Sequence, residues 1–124
     1  MHKNNTQRIV DFCSFHPYFE IPNDRLAQFI SLMPSFEAKT KAEKGCLYYN
    51  FSVSEGKTSS RIHCREAYTD ADAILYHLDN VAELLTKGLQ DAELIRVEVH
   101  GVEADINKLR EPLKDLHPDF YTIW

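Results

Sequence analysis

The order of predicted elements in this 124-residue chain indicates an α+β protein with a ferredoxin-like β-α-β-β-α-β antiparallel sheet. Two observations support this prediction. Two aromatic-rich, strand-like segments are joined by a polar loop at residues 54–60, which is typical of a hairpin. A segment with helical spacing of apolar residues flanks the hairpin on each side, and a further strand-like segment lies beyond each helix. We expect the helices to cover one sheet face, with an extra C-terminal helix and a short strand.

The first half of the chain is predicted to begin with a frayed end, followed by a strand and a helix. Residues 1–8 are polar and are expected to be disordered or frayed, and the first strand is predicted over residues 9–21. Pro17 within it indicates a sheet edge or a bulge. The turn at residues 22–24 begins a helix with apolar residues at helical spacing. Pro34 is expected to kink or restart this helix, because proline removes a helical hydrogen bond.

The hairpin and the second helix form the centre of the prediction. Strands are expected over residues 46–53 and 61–68. Thr69, followed three residues later by Asp72, resembles a capping box and begins a helix over residues 70–85. The apolar stripe of this helix is predicted to pack on the sheet and comprises Ile74, Leu78, Val81 and Leu85.

The last third is predicted to contain a fourth strand over residues 94–102, a short helix, and an apolar tail that adds a short fifth strand. The sheet face away from the helices combines apolar surface with polar strand residues. That combination is large for a monomer, so we expect two subunits to stack these faces in a symmetric dimer. We assign to this dimer face, or to solvent, the polar residues His16, His63, Arg96 and His100.

Length and composition exclude several functional classes. A chain of 124 residues has room for a single domain, so we treat residues 1–124 as one. The net charge of −5 and the absence of a large Lys/Arg cluster argue against nucleic acid as a partner. No long apolar run predicts a signal peptide or a membrane span, which favours a cytoplasmic protein. The three cysteines lack paired spacing, and we expect them to be small buried residues in a reducing compartment: Cys13, Cys46 and Cys64.

Metal and nucleotide sites are not predicted either. The histidines lack the spacing of metal ligands, and the four glycines form no phosphate-binding loop. We therefore expect no metal and no cofactor.

Ionisable and aromatic side chains concentrate between Gly45 and His77. His77 lies on or beside the apolar stripe of the second helix, where an imidazole can accept a proton or bridge helix and sheet. Glu66 shares a strand face with Cys64 and Tyr68, and a carboxylate there requires a partner. Its expected partner is His77 or an arginine of a neighbouring strand, such as Arg65 or Arg96.

Tyr49 and Tyr68 could line a pocket for a flat aromatic ring, or could be ordinary packing residues of half-buried strands. With Cys64, they are our candidate substrate-binding residues. The candidate catalytic residues are His77 and Glu66, and the alternative for each is a structural role.

The spacing Gly45-Cys46-Leu47-x-Tyr49, followed by Glu66-x-Tyr68-x-Asp70-x-x-Ala73-x-x-x-His77, resembles the antibiotic biosynthesis monooxygenase (ABM) family of the dimeric α/β barrel superfamily. The resemblance implies a homodimer joined by its sheet faces, with a pocket between sheet and helices in each subunit. Some members of this family are oxygenases that use neither metal nor flavin and act on phenols or quinols. Tyr68 stands where many members have tryptophan.

Two functions follow from these expectations. The first is a cofactor-independent monooxygenase that deprotonates a small phenol or quinol with a histidine base and lets the product react with O₂. The second is a non-catalytic or stress-related module that binds a small aromatic molecule in the same pocket. The haem-degrading branch is disfavoured, because residues 9–21 lack asparagine and the second helix lacks tryptophan.

Overall fold

The computed structural model describes residues 11–124, which contain five strands. These are β1 (Cys13–Pro22), β2 (Cys46–Ser54), β3 (Ser59–Tyr68), β4 (Glu93–Gly101) and β5 (Asp119–Thr122). They form one sheet in the order β2-β3-β1-β4-β5. The first four pair antiparallel, and β5 adds to β4 in parallel. The α+β, ferredoxin-like prediction is confirmed, including the short fifth strand. The expected frayed residues 1–8 and the predicted strand start at residue 9 lie outside the described residues.

Within residues 11–124, four α-helices accompany the sheet, and their packing defines the helix-covered face. They are α1 (Leu26–Lys41), α2 (Ala71–Asn80), α3 (Ala82–Gly88) and α4 (Glu103–Arg110). Alternation along β1 turns Phe15, Phe19 and Ile21 toward the helices, where all three are buried. Ile62 of β3 and Phe29 of α1 complete the core beside them.

The structure corrects the sequence prediction at Pro34, which lies inside α1 without interrupting it. Phe29 and Phe36, on either side of Pro34, are both buried, and their packing holds the helix together across the proline. Tertiary packing therefore offsets the hydrogen bond that proline removes.

The second predicted helix is divided into α2 and α3 at Val81, whose backbone leaves the helical region at φ −102° and ψ 8°. Its N-cap is Asp70, one residue after the predicted Thr69, because the Asp70 carboxylate accepts a hydrogen bond from the Ala73 N–H at 2.9 Å. Ile74 and Val81 are buried as predicted, whereas two stripe residues are only half-buried, Leu78 and Leu85.

The opposite sheet face carries three neighbouring imidazole rings, of which His16 and His63 are stacked and His100 is tilted. His16 lies 5.9 Å from His63 and 4.7 Å from His100, measured between ring centroids. Tyr18 stacks on His63 at 4.1 Å, and Tyr121 of β5 lies 4.7 Å from His100. Burial, with the neighbouring imidazoles, lowers the pKa of His16 to about 4. These residues lie on the side away from the helices, as the strand alternation predicts.

Candidate active site

The centre of the site is His77, which α2 places between the sheet and the end of α1. The side chain is buried, with 2% of the residue exposed. Its Nδ1 lies 2.9 Å from Oε2 and 3.1 Å from Oε1 of Glu43. Because a carboxylate only accepts, we assign the imidazole proton to Nδ1, which leaves the Nε2 lone pair free. The hydrogen bond to Glu43 therefore fixes the orientation of the imidazole ring, and with it the direction of the Nε2 lone pair.

Glu43 follows the C-terminus of α1 and is held in place by its own backbone and by α2. Its N–H donates to the Thr40 carbonyl at 2.9 Å, which turns the chain inward after the helix. The Asn80 side-chain amide donates to Glu43 Oε2 at 2.9 Å and to the Lys39 carbonyl at 3.2 Å. The carboxylate therefore meets two donors, one from His77 and one from Asn80, which offset its desolvation.

Neither Glu43 nor Asn80 was predicted from the sequence as a site residue. Glu43 stands between Lys41 and Lys44 in a segment that has the composition of a solvated helix end. A carboxylate near the C-terminus of a helix interacts unfavourably with the helix dipole. This unfavourable position was the signal in the sequence that Glu43 has a role other than solvation.

Glu66 lies on the other side of the imidazole, near the end of β3. It is 2% exposed, and its Oε1 accepts a hydrogen bond from the Tyr68 hydroxyl at 2.5 Å. The same oxygen lies 3.4 Å from His77 Nε2. Burial raises the pKa of Glu66 to about 8, against the lowering effect of the hydrogen bond from Tyr68. The carboxyl group is therefore mostly protonated at neutral pH.

Neither arginine considered as a partner of Glu66 contacts it. Along β3, Arg65 points to the opposite face, where its guanidinium lies over the Tyr48 ring at 5.8 Å. Arg96 pairs with Glu98 at 2.7 Å. Glu66 contacts His77 and Tyr68 instead. His77 was one of the two kinds of partner predicted for this carboxylate.

His77 faces this neutral acid as a neutral base. Burial lowers the pKa of His77, and the hydrogen bond from the imidazole to Glu43 and the charge of Glu43 oppose that effect. A group whose pKa lies below its ordinary value of about 6.5 is unprotonated at pH 7. A proton acceptor, His77 Nε2, and a proton donor, Glu66, thus stand 3.4 Å apart in a buried site.

The other predicted residues surround this pair. The Tyr49 and Tyr68 rings each lie 5.2 Å from the His77 ring, and Cys64 lies on the same strand face as Glu66. Burial raises the pKa of both tyrosines and of the Cys64 thiol well above their usual range. All three groups stay protonated, so Cys64 is not a thiolate nucleophile.

Two cavities adjoin the site, with Tyr49 in the wall of both. The inner cavity has a volume of about 40 Å³ and lies between sheet and helices, where Glu66 and His77 line it together with mostly apolar side chains. The outer groove, of about 590 Å³, lies between α1 and β2 and reaches Glu43 and Thr40 at its inner end. The inner cavity holds little more than a water molecule, so the body of a larger ligand does not fit there, whereas the groove has room for it.

Within residues 11–124, no set of three or more His, Cys, Asp or Glu side chains is arranged to hold a metal ion. No helix in the same range is long and apolar enough to cross a membrane.

Among solved structures, the chain is similar to MupZ from Pseudomonas fluorescens, with a TM-score of 0.83 and 42% sequence identity. That match covers 92% of this chain and 91% of MupZ. A provisionally assigned antibiotic biosynthesis monooxygenase from Nitrosomonas europaea matches with a TM-score of 0.65 at 11% identity, over 79% of this chain and 96% of that one. A similar provisional assignment from Caulobacter crescentus gives 0.57 at 18% identity, over 73% and 88%.

No protein-family model and no curated protein sequence matches the chain. The low identities to the two provisional monooxygenases establish a shared fold. The predicted resemblance to the ABM family is confirmed at that level.

Proposed function

This chain belongs to the family of MupZ and has the ABM fold, and we propose that it is a proton-transfer enzyme whose base is His77. We propose further that it is a cofactor-independent monooxygenase that acts on a small phenol or quinol. The main support is the pair formed by His77 and Glu43, in which a buried carboxylate orients an imidazole at 2.9 Å. Such a pair is a familiar arrangement for a general base, because the carboxylate stabilises the imidazolium that forms.

The chemistry begins when His77 Nε2 takes the proton of a substrate hydroxyl group. The electron-rich anion that remains can react with O₂ directly. One oxygen atom replaces a hydrogen on a ring carbon. The substrate then gives up two electrons and two protons, which reduce the second oxygen atom to water, so that a phenol is released as a quinone. The apolar side chains around the inner cavity exclude bulk water and strengthen the electrostatic interactions of the base.

Glu66 favours a second candidate, a redox-neutral acid–base reaction such as an isomerisation or an intramolecular addition. The deprotonation of a phenol needs a base alone. Here a protonated carboxyl group also lies 3.4 Å from His77 Nε2 and could return a proton to another atom of the substrate. This reaction consumes no O₂.

An oxygen electrode distinguishes the two candidates when it is combined with product analysis of a panel of phenols and quinols. For the oxygenase, conversion of a quinol consumes one O₂ per product and stops under nitrogen. For the redox-neutral enzyme, conversion continues under nitrogen. In both cases His77→Ala should lose turnover while it keeps the native circular dichroism spectrum. Binding without conversion in either atmosphere would favour the non-catalytic binding module.

We also propose that two subunits pair through the sheet face that carries His16, His63 and His100. This face carries the three imidazole rings, with the 46% exposed Tyr121 beside His100, and lies opposite the helices. The expected mass from light scattering is twice the 14.4 kDa of one chain. A single-chain mass at micromolar concentration contradicts the pairing.

A further inference from the structure

We infer that the groove between α1 and β2 is the binding site for an extended apolar chain on the substrate, and that Thr40 binds the oxygen at the inner end. This inference rests on the proposed function for its ligand class, a phenol with an alkyl substituent. It goes beyond that function by assigning the groove and by naming Thr40, to which the sequence analysis gave no role.

The first observation is the size and position of the groove. Its volume of about 590 Å³ is within the range of small-molecule sites, whereas the inner cavity of about 40 Å³ is too small for an aromatic ring. The groove ends at Glu43, whose carboxylate contacts His77 at 2.9 Å. A ligand in the groove therefore lies against the same carboxylate that orients the base.

The second observation is an unpartnered hydroxyl group at the inner end of the groove. Thr40 is 2% exposed, and its Oγ1 has no hydrogen-bond partner within the described residues. The Tyr49 hydroxyl lies in its vicinity, but no hydrogen bond of acceptable geometry joins the two. A buried hydroxyl without a partner destabilises the free protein, so a ligand oxygen that accepts from it would remove this cost.

The third observation is the character of the groove walls. Pro34 and Ala38 of α1 and Leu47 and Tyr48 of β2 form much of the groove lining, and Leu47 is 46% exposed. Glu37 and Lys41 of α1 carry opposite charges, and the further charged residue Glu43 lies at the inner end of the groove. The apolar part of this lining suits an uncharged hydrocarbon chain, which gains free energy with each methylene removed from water.

The test uses 4-methyl-, 4-propyl- and 4-pentylphenol as probes, with 4-propyltoluene as the matched compound that lacks the oxygen. Binding to the full chain is followed by NMR under nitrogen, so that no turnover is required. We expect affinity to rise about two- to fourfold per added methylene. The methyl signals of Leu47 and Ala38 should shift. Affinity that does not depend on chain length overturns the assignment of the groove.

Leu47→Ser and Val53→Ser form a matched pair, because both are exposed apolar residues of β2 and only Leu47 lines the groove. Leu47→Ser should remove most of the chain-length dependence, and Val53→Ser should keep it. An equal effect of the two substitutions contradicts the inference.

Thr40→Val tests the hydroxyl group and keeps the shape of the side chain. We expect this variant to melt a few degrees higher than the wild type, because it removes an unpartnered buried polar group. We also expect it to lose the preference for 4-propylphenol over 4-propyltoluene, while Thr40→Ser retains that preference. A lower melting temperature with unchanged preference would mean that the hydroxyl only supports Tyr49.

Turnover and groove binding can fail independently. If the wild type binds the alkylphenols with the expected dependence on chain length but converts no quinol, the assignment of the groove holds and the proposed reaction is wrong. If quinols are converted with no effect of chain length, the reaction stands and the groove is wrong.

Discussion

Replacing Glu66 by Gln tests whether the candidate acid is protonated in the folded protein. Glutamine has the shape of a protonated glutamic acid, and its amide oxygen can keep the hydrogen bond that Glu66 Oε1 accepts from the Tyr68 hydroxyl. It cannot ionise. The difference in the free energy of unfolding between wild type and variant should therefore depend on pH, and that dependence reports the ionisation of Glu66.

The sign and size follow from the two pKa values of this carboxyl group. The pKa is raised from 4.5 to about 8 by burial in the folded protein, so between these values the folded state keeps a proton that the unfolded state has lost. The stability of the wild type then decreases as pH rises, by about 1.4 kcal/mol per pH unit. Over the whole interval the loss is roughly 3–5 kcal/mol, and it ends above the folded-state pKa.

The assay is urea unfolding from pH 4 to pH 9, in parallel for the wild type and Glu66→Gln. Protonation of His77 acts equally on both proteins to first approximation, so it cancels in the difference. We expect the variant to gain stability over the wild type steadily from about pH 5 to pH 8. Glu55→Gln, at an exposed position in the hairpin loop, controls for the loss of one charge. A difference that is constant with pH would refute the argument that Glu66 is neutral at pH 7.

Three further outcomes follow from the same geometry. His77→Ala should lower turnover about 10²–10⁴-fold, as is usual for loss of a general base, without a change of fold measured by circular dichroism. Glu43→Gln should lower turnover by a similar factor. The acidic limb of the pH–rate profile should move to lower pH in this variant, because Glu43 raises the pKa of His77. An acidic limb at the same pH in both proteins would mean that it reports another group. Ile74→Ala should cost about 2–5 kcal/mol in urea unfolding because Ile74 is fully buried in α2. Tyr76→Ala, at a 64% exposed position of the same helix, should change stability by less than about 1 kcal/mol, and equal costs would contradict the assigned helix face.

The fold was predictable because the periodicity of apolar residues is a local property of each segment. The alternation along β1 and the spacing around His77 follow from the geometry of a strand and a helix. The predicted helix limits failed where packing between elements decides the outcome. Pro34 stays within α1 because Phe29 and Phe36 are buried on either side, and no local pattern reports that.

The site was predictable in part for the same reason. Glu66 and His77 could be placed on facing surfaces from strand and helix periodicity alone. Glu43 could not, because its burial depends on how the end of α1 packs beside α2, where Asn80 donates to it at 2.9 Å. The environment of a carboxylate in a turn is a tertiary property, and the sequence around Glu43 is that of a solvated segment.

The three ionisable groups of the site, His77, Glu43 and Glu66, limit the charge that it can hold. One imidazole lies between two buried carboxyl groups, Glu43 at 2.9 Å and Glu66 at 3.4 Å. Two ionised carboxylates there would repel each other in a site that excludes water, and the charge of Glu43 accordingly adds to the rise in the pKa of Glu66. When a substrate proton reaches His77 Nε2, the imidazolium that forms lies against the Glu43 carboxylate. The positive charge of His77 and the negative charge of Glu43 then cancel. The arrangement therefore favours the protonated product of the first step, which is the condition that a buried general base must meet.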